Sequence, residues 1–181
     1  MKKWNVLNNI IIPIFIIVVC SLAPILHQNL TYIANQLPYR FLVFILACLI
    51  AYNFYTQFTC LFKVTEFYGQ KAAYLMIFSL ILIPLAVLVP YNKKDILWSM
   101  IHVWISFGGS ILFMILLNVF LWHLAKTHIE MYQQILPVYL FLITGCFTLF
   151  VWLGSVSSLV EIFFICSLNA LIYQLNRLFK L

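Results

Sequence analysis

The chain has 181 residues, of which 66% are hydrophobic and 8% are charged, with ten Lys and Arg against four Asp and Glu and a net charge of +6. An ordinary soluble domain is about 25% charged. So few charges cannot cover a soluble surface, and so apolar a composition excludes a disordered chain and a nucleic-acid binder. What remains is an all-α, polytopic protein of the membrane, whose basic residues mark one side of a bilayer.

A helix that crosses the hydrocarbon needs about 20 apolar residues. Six segments meet this, roughly 6–26, 41–62, 72–89, 96–124, 135–153 and 156–175. Together they form one transmembrane domain, 1–181. Lys2 and Lys3 before the first apolar run resemble a secretory leader, but no small-x-small cleavage site follows Cys20-Ser21-Leu22-Ala23, so a retained span is expected. The last two segments are separated only by Gly154 and Ser155 and are expected to form a tight antiparallel hairpin. Pro13, Pro24 and Pro84 are expected to kink their spans.

Orientation follows from the basic residues. Six spans with the N-terminus inside place Lys2, Lys3, Lys63, Lys71, Lys126, Arg177 and Lys180 in the cytoplasm. Arg40, Lys93 and Lys94 then lie outside. Seven against three puts both termini in the cytoplasm of a cell (inner) membrane. Trp4, Tyr39, Tyr91, Trp98, Trp122 and Trp152 fall near span ends, where aromatic rings favour the headgroup layer. The loop from His27 to Arg40, which holds Leu30, Tyr32, Ile33 and Leu37 among polar residues, has the composition of an amphipathic lid or of a plain connector.

An ionisable side chain inside a span is expensive and needs a reason. His102 lies six residues into the fourth segment and Glu161 five into the sixth, roughly 9 Å and 7–8 Å from the outer end at 1.5 Å per residue. Helical spacing lines Asp95, Ser99, Ser106 and Gly109 up with His102, against Ile101, Ile105 and Leu112 on the other side. Ser157 and Ser158 lie one turn before Glu161, and Asn169 two turns after it. The candidate ligand-binding set is therefore His102, Glu161, Asp95, Ser99, Ser106 and Ser158, in a polar pocket open to the external leaflet. A hydrogen-bonded pair that only fixes helix packing is the simpler reading of the same residues.

Other chemistry is scarce. Cys20, Cys48, Cys60, Cys146 and Cys166 all sit in apolar runs with no paired spacing, and read as small buried hydrophobes. No phosphate-binding loop, zinc-protease motif or dinucleotide fingerprint occurs. No metal, cofactor or catalytic residue is expected. Asn53, Thr56, Gln57 and Thr59 make the inner half of the second span polar and suit hydrogen bonds, while His123 and His128 read as interfacial. Membrane lipids, and in second place other membrane proteins, are the expected partners. Two alternatives stand beside a binding protein: a small transporter or its substrate-binding subunit, and an intramembrane lipid hydrolase or transferase using His102, Glu161 and Asp95 with Ser99 or Ser158 as nucleophile.

Four places carry a resemblance to a known group. They are Leu30-Thr31-Tyr32-Ile33-Ala34-Asn35 after the first span, Val89-Pro90-Tyr91-Asn92 closing the third, Ile101-His102-Val103 early in the fourth, and Leu159-Val160-Glu161-Ile162-Phe163 opening the sixth. In these the chain resembles the six-span family of damage-regulated autophagy modulators and their relatives in GPI-anchor remodelling, and a related bacterial six-span family of unknown function. The resemblance implies six membrane helices and a role in a lipid-bilayer process without a demonstrated enzymatic activity.

Overall fold

A computed structural model describes the backbone of all residues except Met1, Tyr68, Asn92, Lys93 and Leu181. The side chains of residues 2–9, Lys2, Lys3 and Trp4 among them, lie outside the described residues, as does Lys93. Seven helices are described: α1 (Lys2–Cys20), α2 (Leu30–Asn35), α3 (Leu37–Val64), α4 (Gln70–Leu88), α5 (Ile96–Thr127), α6 (Ile129–Leu153) and α7 (Ser158–Leu178). No strand occurs among the described residues. Five of the helices, α3 to α7, are long and apolar enough to cross a membrane. In α1 the described apolar run, Ile10–Cys20, is shorter than a crossing requires.

The helices fall into two compact units, one of Met1–Ile33 with His128–Leu181 and one of Ala34–Thr127. In the second unit α4 packs on both α3 and α5. Phe54, Phe58 and Phe62 repeat every four residues on α3, and Phe113 and Phe120 are seven apart on α5, so each set lines one helical stripe. Phe54 stacks on Phe113 at 5.5 Å between ring centroids, Phe58 meets the same ring edge-on at 5.5 Å, and Phe62 lies 5.2 Å from Phe120. Such aromatic pairs contribute about 0.5–1.5 kcal/mol each beyond the area they bury.

In the first unit α7 packs on α1 and on α6. Ile12, Ile16, Val19 and Cys20 form the buried stripe of α1, and Leu168, Leu171, Ile172 and Leu175 that of α7. Gly145 of α6 opens a space filled by the Phe163 ring, which a β-carbon at 145 would overlap. Gly154 ends α6 in the left-handed conformation, φ 68°, and its N–H closes on the Phe150 carbonyl at 2.9 Å. A glycine is the residue that takes this geometry without a steric penalty.

Several sequence expectations need correction at the ends of the elements. The first apolar run does not continue as helix to Leu26, because α1 stops at Cys20 and the chain turns through Ser21–Ala23. Pro24 therefore lies in a turn and kinks nothing, whereas Pro13 and Pro84 are inside helices. The stretch from His27 to Arg40 is not one loop: it contains α2, and α3 begins at Leu37 with Pro38 in its first turn, where a missing N–H costs no bond. The connection from α6 to α7 is four residues, 154–157. All five cysteines are free thiols, with Cys20 buried and the others half-buried.

Adjacent glycines on α5 give a test of helix packing. A β-carbon at Gly109 would stand 2.9 Å from Leu82 Cβ and 3.2 Å from the Ser79 carbonyl oxygen of α4, whereas one at Gly108 meets nothing within 4 Å. The expected outcome is that Gly109→Ala lowers stability by about 1–3 kcal/mol, the cost typical of overpacking. Gly108→Ala leaves the thermal midpoint of the purified protein unchanged or slightly raised.

Candidate functional site

Each candidate residue is held within its own unit, since His102 belongs to the second and Glu161 to the first. Glu161 sits in the first turn of α7, three residues after its start. This places it about 4–5 Å into the helix, shallower than the sequence count suggested. Ser158-Leu159-Val160-Glu161 has the spacing of a local capping box, in which the carboxylate folds back onto its own helix N-terminus. The structure does something else. Ser158 N–H donates to the Gln28 carbonyl at 2.6 Å, and Leu159 N–H to that of Ile25 at 3.2 Å. Glu161, relieved of the local task, accepts the Leu30 N–H on Oε2 at 2.8 Å. Asn29 completes the arrangement, accepting the Tyr32 N–H at 3.0 Å as the N-cap of α2 and donating to the Val156 carbonyl at 3.4 Å. The turn after α1 thus caps α7, and α7 caps α2.

The second unit solves the same problem at the exit of α4. α4 ends at Leu88, so the carbonyl of its C-cap Val89 has no helical N–H beyond it and needs a partner from elsewhere. His102 Nδ1 supplies it at 2.8 Å. A carbonyl only accepts, so Nδ1 carries the proton. The buried imidazole also lies 5.7 Å from the Tyr91 ring. Asn35 pairs both main-chain groups of Tyr91: its Nδ2 donates to the Tyr91 carbonyl at 2.8 Å, and its Oδ1 accepts the Tyr91 N–H at 3.1 Å.

The remaining candidates divide. Asp95 is exposed and accepts the Trp98 N–H at 3.3 Å, as an N-cap of α5 does. Ser106 is half-buried and its hydroxyl donates back to the His102 carbonyl at 2.9 Å, on its own helix. Ser99 is half-buried. Ser157 and Ser158 are fully buried; the Ser157 hydroxyl has no hydrogen-bond partner among the described residues, and the Ser158 side chain lies against the Cys20 thiol. The stripe carrying His102 and Gly109 is buried as expected, but the most open face of α5 is Met100, Val103, Trp104, Phe107 and Ile111, whereas Ile101, Ile105 and Leu112 are half-buried. No group of three or more metal-ligating side chains occurs among the described residues.

Sequence reasoning missed Asn35 and Asn29, which were read only as loop polarity. For Asn29 the signal is present, since an Asn immediately before the apolar Leu30 is an N-cap pattern; nothing local in the sequence points to the pairing of Asn35 with Tyr91. His123 belongs to the same class. It donates through Nε2 to the Thr65 carbonyl, the C-cap of α3, at 2.9 Å. Comparison of the chain with protein-family models, curated proteins and solved structures finds no match.

These bonds make the effect of substitution depend on hydrogen-bonding ability more than on charge. Glu161→Gln keeps a carbonyl oxygen for Leu30 and is expected to melt within a few degrees of wild type. Glu161→Leu strands that N–H and is expected to lose about 1–3 kcal/mol, as is Asn35→Ala at Tyr91. Thermal melts of the purified variants in detergent measure both.

Proposed function

We propose that the protein is a multi-pass protein of the cell membrane, with six crossings and both termini in the cytoplasm, that acts by binding and not by covalent chemistry. α1 and the turn after it, residues 6–26, supply the sixth crossing, with Lys2 and Lys3 left on the cytoplasmic side. Seven basic residues against three favour the orientation. Resemblance to the six-span family named above suits this reading and its assignment to a lipid-bilayer process.

The observation that carries the binding reading is the engagement of the two ionisable side chains with main chain. His102 Nδ1 is committed to Val89 and Glu161 Oε2 to Leu30. Ser158, a nucleophile under the hydrolase alternative, is sealed from access. A transporter built on helices broken at mid-membrane is also disfavoured, since α3 to α7 run unbroken through the described residues. Glu161 Oε1 accepts no hydrogen bond among the described residues, so this half-buried carboxylate is the group proposed to meet a ligand bearing an N–H or O–H, such as a lipid headgroup, at the external leaflet.

Two measurements test the proposal. Reporter fusions after Lys180 and within 154–157 are expected to be cytoplasmic and external respectively; an external C-terminus excludes six crossings with the N-terminus inside. A panel of headgroup analogues is expected to include one that raises the melting temperature of wild type and not of Glu161→Gln. A panel that stabilises both proteins equally removes Glu161 from the site.

A further inference from the structure

A second site lies in the Ala34–Thr127 unit, where α3 passes into α4. A cleft of about 470 Å³ opens there, lined by Glu66, Lys71, Leu75, Leu116, Val119 and His123 among others. This volume is in the range of small-ligand sites, about 300–1,000 Å³. Its lining is graded. Glu66, Lys71 and His123 gather at one end, in a chain with only 14 charged residues. From them two apolar stripes run away at helical spacing, Leu75 and Phe78 from Lys71 on α4, and Val119 and Ile115 from His123 on α5. Phe78, Val119 and Ile115 are exposed, so the apolar end continues onto the surface that these helices present to hydrocarbon. Trp122 carries Lys126 over its ring at 5.2 Å in the same turn as His123, which fits the level of the headgroups.

The polar groups at that end are not occupied with one another. Glu66 and Lys71 form no salt bridge among the described residues, and both are exposed. The N-terminus of α4, where Lys71 lies in the first turn, has no side-chain cap, so its dipole adds to the lysine charge. His123 gives its Nε2 proton to Thr65, which leaves Nδ1 as an acceptor. Glu66 also holds φ at 55°, a left-handed conformation that costs a non-glycine residue about 1–2 kcal/mol. Glu66 is the residue after the C-cap of α3, a place where helices commonly turn left-handed, as Lys180 does after α7.

We infer that this cleft binds a phospholipid with a primary-amine headgroup, a phosphatidylethanolamine. Lys71 and the α4 N-terminus meet the phosphate, Glu66 and His123 Nδ1 accept from the ammonium, and an acyl chain follows the Leu75/Phe78 and Val119/Ile115 stripes. A quaternary ammonium has no N–H to donate, so a choline headgroup loses the second set of contacts. In the orientation proposed above the site faces the cytoplasmic leaflet. The inference does not depend on Glu161.

The test is native mass spectrometry of the delipidated full-length protein in detergent, titrated with dioctanoyl phosphatidylethanolamine, phosphatidylcholine and phosphatidylglycerol. Wild type is expected to retain the ethanolamine lipid about tenfold better than the choline lipid, a difference in the range of one or two charge-assisted hydrogen bonds. Glu66→Gln, which keeps one acceptor but loses the charge, is expected to reduce that preference while still binding both. Lys71→Ala is expected to weaken all three lipids. Glycerophosphoethanolamine, which lacks acyl chains, is expected not to displace the bound lipid at equal concentration. Equal retention of ethanolamine and choline lipids by wild type overturns the inference. So does a preference untouched by Glu66→Gln, or displacement by the chain-free headgroup. Melting curves of both variants confirm that these exposed substitutions leave the fold intact.

Discussion

A helix leaves four N–H groups and four carbonyls without partners at its two ends, and near hydrocarbon water cannot be relied on to pair them. That requirement organises the polar residues of this chain. With few charges available, side chains that look poised for chemistry are used first to close helix ends. Glu161 closes α2, His102 and Asn35 close the exit of α4, and His123 closes α3. Main chain serves in the same way where the Ile25 and Gln28 carbonyls cap α7. The apolar stripes supply attraction within each unit, but they are permissive in register along the helix. Directional bonds at the ends fix where each helix starts and stops.

The same economy separates structural from functional polarity. A group that has given its one proton to main chain, as Ser106 has, has no donor left for a ligand. A group with capacity left over is a candidate. Among the described residues Glu161 keeps one oxygen in reserve beside its bond to Leu30, and Glu66 and Lys71, which line a cleft, form no salt bridge. Of the two places, the one at Glu66 stands on a cavity lined by both charged and apolar side chains.

Much of the architecture was legible in the sequence because length and hydropathy determine it. The five long helices α3 to α7 coincide with five expected spans to within a few residues at most ends, and the hairpin between α6 and α7 turns at Gly154. Gly109 lies on the His102 stripe, and α4 approaches there, whereas nothing approaches Gly108. Failures cluster where a local signal competes with a distant one. Ser158 to Glu161 spells a local capping box, but the partner that takes the carboxylate is 131 residues away in sequence. Apolar residues through Leu26 read as continued helix, yet the Ile25 carbonyl is needed by α7 and the chain turns before it. Glu66 drew no notice because an acidic residue in a short connection is ordinary until its cleft is known.

The claim most open to direct measurement is that an ionisable side chain of one helix serves here as a cap for another. Amide hydrogen exchange at Leu30, read with the protein in lipid nanodiscs, isolates that bond from the rest of the fold. Slow exchange at Leu30 in wild type and Glu161→Gln, with fast exchange in Glu161→Leu, is the result this account predicts. Equal exchange at Leu30 in all three proteins contradicts it.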